Sequence, residues 1–117
     1  MDLQEIMRKY FRISVQGNDA VSMKINNVAY DMIDVGDRGI GIRLTSEDIF
    51  LAVEDELPIE LNIDGLIHNL QGKVVHISPA GPDEFLCGIE FMNIDKKAKE
   101  NLMAYLQSYR DKIFKEE

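Results

Sequence analysis

The chain has 117 residues, of which 45% are hydrophobic and 29% charged, enough for one soluble domain that buries about two-thirds of its unfolded surface without staples. Its 13 Lys and Arg stand against 21 Asp and Glu, a net charge of −8, which argues against duplex nucleic acid and anionic membrane surfaces, both of which are bound through many cations. The single cysteine, Cys87, cannot form an internal disulfide, and no segment approaches the roughly 18 apolar residues of a membrane span.

Residues 1–7 carry Asp2 and Glu5 and no apolar core of a leader, so no secretory signal is expected here. With an unpaired cysteine, that points to a reducing, cytoplasmic setting. Leu3, Ile6 and Met7 could form one side of a helical turn or simply fray. Next comes Arg8-Lys9-Tyr10-Phe11-Arg12, two guanidiniums four residues apart with an ammonium and two rings between them. Without these three cations the balance is 10 − 21 = −11, so a dense positive flag sits on an acidic protein. Such a flag suits a local anion site, because Arg gives bidentate hydrogen bonds to phosphate or a guanine edge and stacks on rings. Alone, it is equally a solvated basic run in front of a strand. Phe11 is expected in the core; Tyr10 lies near a ligand or half-exposed.

Phe11 to Val15 alternates as a half-buried strand, and Gln16 to Asp19 reads as a turn. Val21 to Ile25 alternates again. Asn26-Asn27 tolerates the positive φ of a tight hairpin, and Val28 to Val35 is the returning strand. Asp34-Val35-Gly36-Asp37-Arg38-Gly39 is dense in turn residues. Its Asp34 can accept hydrogen bonds from the N1–H and N2–H₂ donors of a guanine. Gly36 and Gly39 allow unusual φ values and close approach of a ligand. By itself this string also fits any strand-to-strand turn.

Ile40 to Leu44 is a further strand, and Ser46 to Asp48 a short helical turn or irregular connection. Leu57 to Ile63 follows as a strand with a proline near its start. Asp64-Gly65 signals a hairpin. Leu66 to Ser78 is a long strand or a broken pair, with Gly72 a candidate bulge. Pro79 to Asp83 reads as a loop and Phe85 to Met92 as a strand. His68 and His76 have no partners at metal-ligand spacing, so no metal site is expected. No nucleophile–base arrangement marks an enzyme. Asp95 is a plausible N-cap, and Ala98, Leu102, Leu106, Tyr109 and Ile113 form one apolar stripe on a helix.

The sum is a mainly β fold: a small six-stranded antiparallel barrel over residues 11–93, with a C-terminal helix over 95–114 closing its mouth. Residues 1–117 form one domain, with 1–12 as a segment ahead of the barrel.

The motifs Arg8-Lys9-Tyr10-Phe11-Arg12 and Asp34-Val35-Gly36-Asp37-Arg38-Gly39, with Gly72-Lys73-Val74-Val75 and Cys87-Gly88-Ile89-Glu90-Phe91, resemble the PilZ domain, a bacterial receptor module for cyclic di-GMP. The family pattern is R-x-x-x-R followed by [DN]-x-S-x-x-G, and the likeness covers roughly Arg8 to Tyr109. It implies that Arg8, Lys9, Arg12, Asp34, Gly36 and Gly39 bind the ligand. Arg8 and Arg12 would contact guanine edges and phosphates, Asp34 would read a guanine edge, and Gly39, with Gly36, would give clearance. Residues 1–12 would order on binding and signal to an effector protein of motility, biofilm or polysaccharide machinery. No cofactor is implied beyond that ligand. One departure stands out: Gly36 occupies the family's serine position. A lost hydroxyl contact would weaken binding by about 0.5–1.5 kcal/mol, roughly threefold to tenfold. The same departure suits the alternative of a degenerate domain that works through protein contacts alone. A third reading is an OB-like barrel for single-stranded nucleic acid, which the confined basic charge disfavours. Tyr105, Tyr109, Ile113 and Phe114 extend beyond what a small barrel covers, which makes the distal helix a candidate homodimer surface.

Overall fold

In the computed structural model, residues 13–15, 21–48 and 51–115 are described, with side chains in the helix up to Ser108. The strands are β1 (Ile13–Ser14), β2 (Val21–Ile25), β3 (Val28–Val35), β4 (Gly39–Thr45), β5 (Glu56–Ile63), β6 (Leu66–Gly81) and β7 (Glu84–Met92). A 3₁₀ turn, Ser46–Asp48, follows β4, and the helix α1 spans Lys96–Lys115. Each neighbouring pair is antiparallel. The order β3-β2-β5-β6-β7-β4, with β4 returning to β3, closes a six-stranded barrel. Closure pairs both sides of most strands, and the far half of β6, beyond Lys73, is paired on one side alone. The short β1 joins the far end of β3, with Ile13 opposite Val35 and Ser14 opposite Asp34.

The hairpins follow from the turn residues. Asn26 and Asn27 have φ of 52° and 66°, and Asp64 and Gly65 have 50° and 86°. Both are two-residue turns with positive φ, whose twist matches that of the flanking strands. Alternation then divides the faces: in β2, Val21, Met23 and Ile25 are buried while Ser22 and Lys24 are exposed. The helix starts where Asp95 Oδ1 accepts from the Ala98 N–H at 2.7 Å, the expected cap. Its Ala98, Leu102 and Leu106 join the barrel core. Asn101 Nδ2 lies 3.3 Å from His68 Nε2, tying the helix to β6 at this mouth. The side chains of Tyr109, Ile113 and Phe114, and with them the expected distal surface, lie outside the described residues, as do Gln16 to Asp19 and the whole of 1–12.

Two expectations need correction. Gly72 is not a bulge: it pairs with Leu57 and Phe91 and faces inward. A Cβ there would come within 2.3 Å of Ile59 Cδ1 and 2.7 Å of Ile89 Cγ2, so the glycine makes room for two core isoleucines. Pro79 to Asp83 is not a loop either, because β6 runs on to Gly81 and only Pro82 and Asp83 turn. β5 accompanies β6 only as far as Lys73, so Pro79 stands on a one-sided stretch where a missing N–H is tolerated.

Burial raises the Cys87 thiol from 9.0 to about 11. The direction means that folding favours the neutral thiol, and this contribution fades as pH rises from the unfolded value through about 11. At pH 8 the native protein should react with a thiol-specific disulfide reagent about a hundredfold or more slowly than the urea-unfolded chain, because two pKa units remove that much thiolate. Equal labelling rates in the two states would show that Cys87 is accessible.

Candidate functional site

Strict alternation along β3 would send Asp34 inward with Met32. It does not, because the pairing with β4 slips between Met32 and Asp34. The extra residue, Ile33, shifts the phase, so Met32 and Val35 are both buried and Asp34 comes to lie opposite Gly41. Gly41 stands between the inward-facing Ile40 and Ile42, and paired residues share a face, so Asp34 is on the outside of the barrel. A second slip, between Val74 and His76 of β6, does the same there. Val74 is buried and half-buried Ile77 packs against the core, while His76 is exposed opposite Gly88.

The two bulges therefore act on one row. Across the outer face it runs Asp34 (β3), Gly41 (β4), Gly88 (β7), His76 (β6), each directly paired with the next. Its two middle members carry no side chain of their own, and both are buried. The His76 ring lies over Gly88, where a Cβ would meet its Cε1 at 2.2 Å. The adjoining row pairs Gly39 with Glu90 and Glu90 with Lys73. Arg38, Gly39, Ile40, Val75, His76, Gly88, Ile89 and Glu90 enclose an open cavity of about 200 Å³.

The β3–β4 turn is held from both sides. Gly36 N–H donates to the Gly39 carbonyl at 2.9 Å, and Phe91 N–H donates to the Arg38 carbonyl at 2.7 Å. Gly36 is buried, and Asp34 and Asp37 are half-buried. Among the described glycines only Gly65 has a positive φ, so neither Gly36 nor Gly39 is there for a left-handed backbone. Gly39 has another reason: a Cβ would lie 2.1 Å from the Ile89 carbonyl oxygen, so only glycine lets β4 start this close to β7. On the flank, Arg43 lies 3.6 Å from Asp31 and 3.9 Å from Glu84. Lys73 Nζ is 3.0 Å from Glu54, whose hydrogen bond and charge raise the ammonium's pKa. Among the described residues, no group of three or more His, Cys, Asp or Glu could hold a metal ion.

Of the six expected ligand residues, Asp34, Gly36 and Gly39 fall on this corner; Arg8, Lys9 and Arg12 lie outside the described residues. Sequence reasoning missed His76, Arg38 and Glu90 as parts of the same face. The signal was available in the phase breaks: Met32-Ile33 before Val35, and Val74-Val75 before Ile77, each place two apolar residues together and then resume alternation on the opposite phase.

The PilZ domain family model matches residues 7–108, and the chain belongs to that family. PilZ domains are binding and receptor domains. No curated protein sequence matches the chain. Among solved structures, an uncharacterised protein of Legionella superposes with a TM-score of 0.59 at 16% identity, over 88% of this chain and 97% of that one. The Bacillus subtilis inhibitor of motility (MotI/DgrA) gives 0.63 at 11% identity, over 77% of this chain and 46% of its own. Borreliella burgdorferi PlzA in complex with c-di-GMP gives 0.61 at 12% identity, over 99% of this chain and 59% of its own. Thus the chain spans about half the length of the last two. No described helix is long and apolar enough to cross a membrane.

The two glycines of this face should respond differently to an added methyl. Gly39→Ala pushes against backbone and should cost about 1–3 kcal/mol in urea unfolding. At Gly88 the nearest atoms to an added methyl belong to the exposed His76 imidazole, which can swing aside, so Gly88→Ala should stay within about 0.5 kcal/mol of the parent. The reverse order would show that the β4–β7 contact is looser than described.

Proposed function

We propose that the chain is a cyclic di-GMP receptor domain whose N-terminal arginine segment folds over the Asp34–Gly39 corner when the ligand binds and so signals to a partner protein. The observation that carries this reading is the register of β1. Ile13 stands opposite Val35 and Ser14 opposite Asp34. Arg12 is bonded to Ile13, and consecutive Cα atoms are about 3.8 Å apart, so its backbone is tethered within one residue of the corner. Arg8 is four residues further out, within about 13–14 Å of chain. Family membership and the bound nucleotide of PlzA support the choice of ligand.

Each residue then has a task suited to its chemistry. Arg8 and Arg12 bind phosphate oxygens and guanine edges and stack on the bases, while Lys9 adds charge. Asp34 accepts from N1–H and N2–H₂ of one guanine, an edge that adenine does not present. Gly36 and Gly39 keep the turn low beneath the ligand. Ordering the segment costs about 1–2 kcal/mol per residue in backbone entropy, which the charge-assisted contacts offset. The ordered segment is the surface a partner reads, an order–disorder switch. The activity is binding, with no chemical step.

Isothermal titration with cyclic di-GMP tests this directly, with cyclic di-AMP as control. Arg8→Ala and Arg12→Ala should each lose most of the binding. Gly36→Ser should tighten it by roughly threefold to tenfold, one hydrogen bond's worth. Undiminished affinity in both arginine variants would sink the assignment.

A further inference from the structure

The cavity between Arg38 and His76 is not used by the contacts just described, although it opens on the same face. We infer that it is a second base subsite, in which Glu90 reads the other guanine of the cyclic dinucleotide. This inference rests on the cyclic di-GMP reading above and adds to it a residue outside the arginine and aspartate motifs.

Position is the first argument. Asp34 and Gly88 are two strands apart in one row, so about 10 Å separates Asp34 from the cavity's near wall. Gly41 alone stands between them in that row, so among the described residues no side chain of that row divides the cavity from the Asp34 corner. A cyclic dinucleotide carries its bases on opposite sides of one sugar–phosphate ring, and two subsites on a continuous surface suit that shape. The open cavity of about 200 Å³ is of the size of one base.

Chemistry is the second. Glu90 is exposed and lines the cavity, and an ionised carboxylate only accepts hydrogen bonds. Guanine offers it two adjacent donors, N1–H and N2–H₂. Adenine would turn the N1 lone pair toward it and be repelled. Arg38 and His76 supply flat faces for the ring, a guanidinium on the turn and an imidazole over Gly88. Exposed Val75 gives an apolar contact beside them. Lys73, paired with Glu90 in the ladder, reaches instead to Glu54 on its other side, at 3.0 Å.

The test compares cyclic di-GMP with the hybrid cyclic GMP–AMP, by isothermal titration on the full chain. Wild type should bind cyclic di-GMP about tenfold more tightly than the hybrid, because the hybrid satisfies only one of the two carboxylates. Glu90→Ala should weaken cyclic di-GMP and, by removing the carboxylate that repels adenine, tighten the hybrid slightly, bringing the ratio to about one. His76→Ala should weaken both ligands. A thermal melt of each variant checks that the barrel is intact. In ¹H–¹⁵N spectra of the wild type, the Gly88 and Glu90 amides should shift on titration. If Glu90→Ala keeps the wild-type ratio, or those amides stay still while the ligand binds, the second subsite is wrong and the receptor reading survives. If wild type binds neither nucleotide, both readings fall.

Discussion

The outer face of this barrel depends on two phase shifts in its strands. Each bulge inserts one residue, Ile33 in β3 and Val75 in β6, and each turns the rest of its strand by one position. Without the first, Asp34 would be driven inward and Val35 outward. Without the second, His76 would point into a core where none of the described buried residues is polar or charged. The cost of burying an unpaired polar group is several kcal/mol against an apolar medium, so the two shifts are required for folding as much as for any site. Their consequence is that two chemically capable side chains arrive at opposite ends of one row, with glycines between them.

Closure of the barrel is what makes that row continuous. β3 and β7 are far apart in sequence, and β4 lies between them only because the sheet returns on itself. At Gly39, β4 begins against the Ile89 carbonyl, where a Cβ would not fit. The turn Gly36–Gly39 is thereby fixed to β7 through the Arg38 carbonyl and cannot drift from the cavity. The glycines of the second motif are thus needed by the barrel itself, whatever approaches from outside. A motif glycine can serve packing and clearance together, and its presence alone does not tell them apart.

Much of this was legible from residue order. Asn26-Asn27 and Asp64-Gly65 fixed two hairpins because only a few residue types accept positive φ. Asp95 announced the helix, and Ala98, Leu102 and Leu106 announced its buried stripe. The six-stranded count followed from these marks, and the motif Asp34 to Gly39 marked one corner of the candidate site. What stayed hidden was register. A period-two reading assigns faces within a strand but cannot align one strand with its neighbour, and a one-residue slip exchanges every face. Gly72 looked like a bulge because glycine often marks one, whereas the register shifts fall at Ile33, Val75 and Ala80. Pro79 looked like a loop because its tolerance depends on β5 ending early, a fact of pairing and not of composition. His76 and Glu90 were invisible for the same reason: nothing local to either says that it shares a surface with Asp34.

The charges on the two parts of the proposed site divide its labour. Among the described residues, the barrel brings the carboxylates Asp34, Asp37 and Glu90 and the exposed guanidinium of Arg38 to this face. Under the proposed function, such a surface would repel phosphate and accept the donor edge of guanine. Phosphate neutralisation must come from elsewhere, and the three cations of residues 8–12 are the dense source in the sequence. At physiological ionic strength the Debye length is about 8 Å, so the remaining acidic charge of the protein is largely screened beyond the first neighbours. Local cations can therefore act despite a net charge of −8. On this view neither half suffices. The barrel without the segment selects a base but rejects the ligand's charge, and the segment without the barrel binds charge but cannot choose a base. Under the proposed function, binding would require both to come together, and the position of residues 8–12 would then report on the ligand.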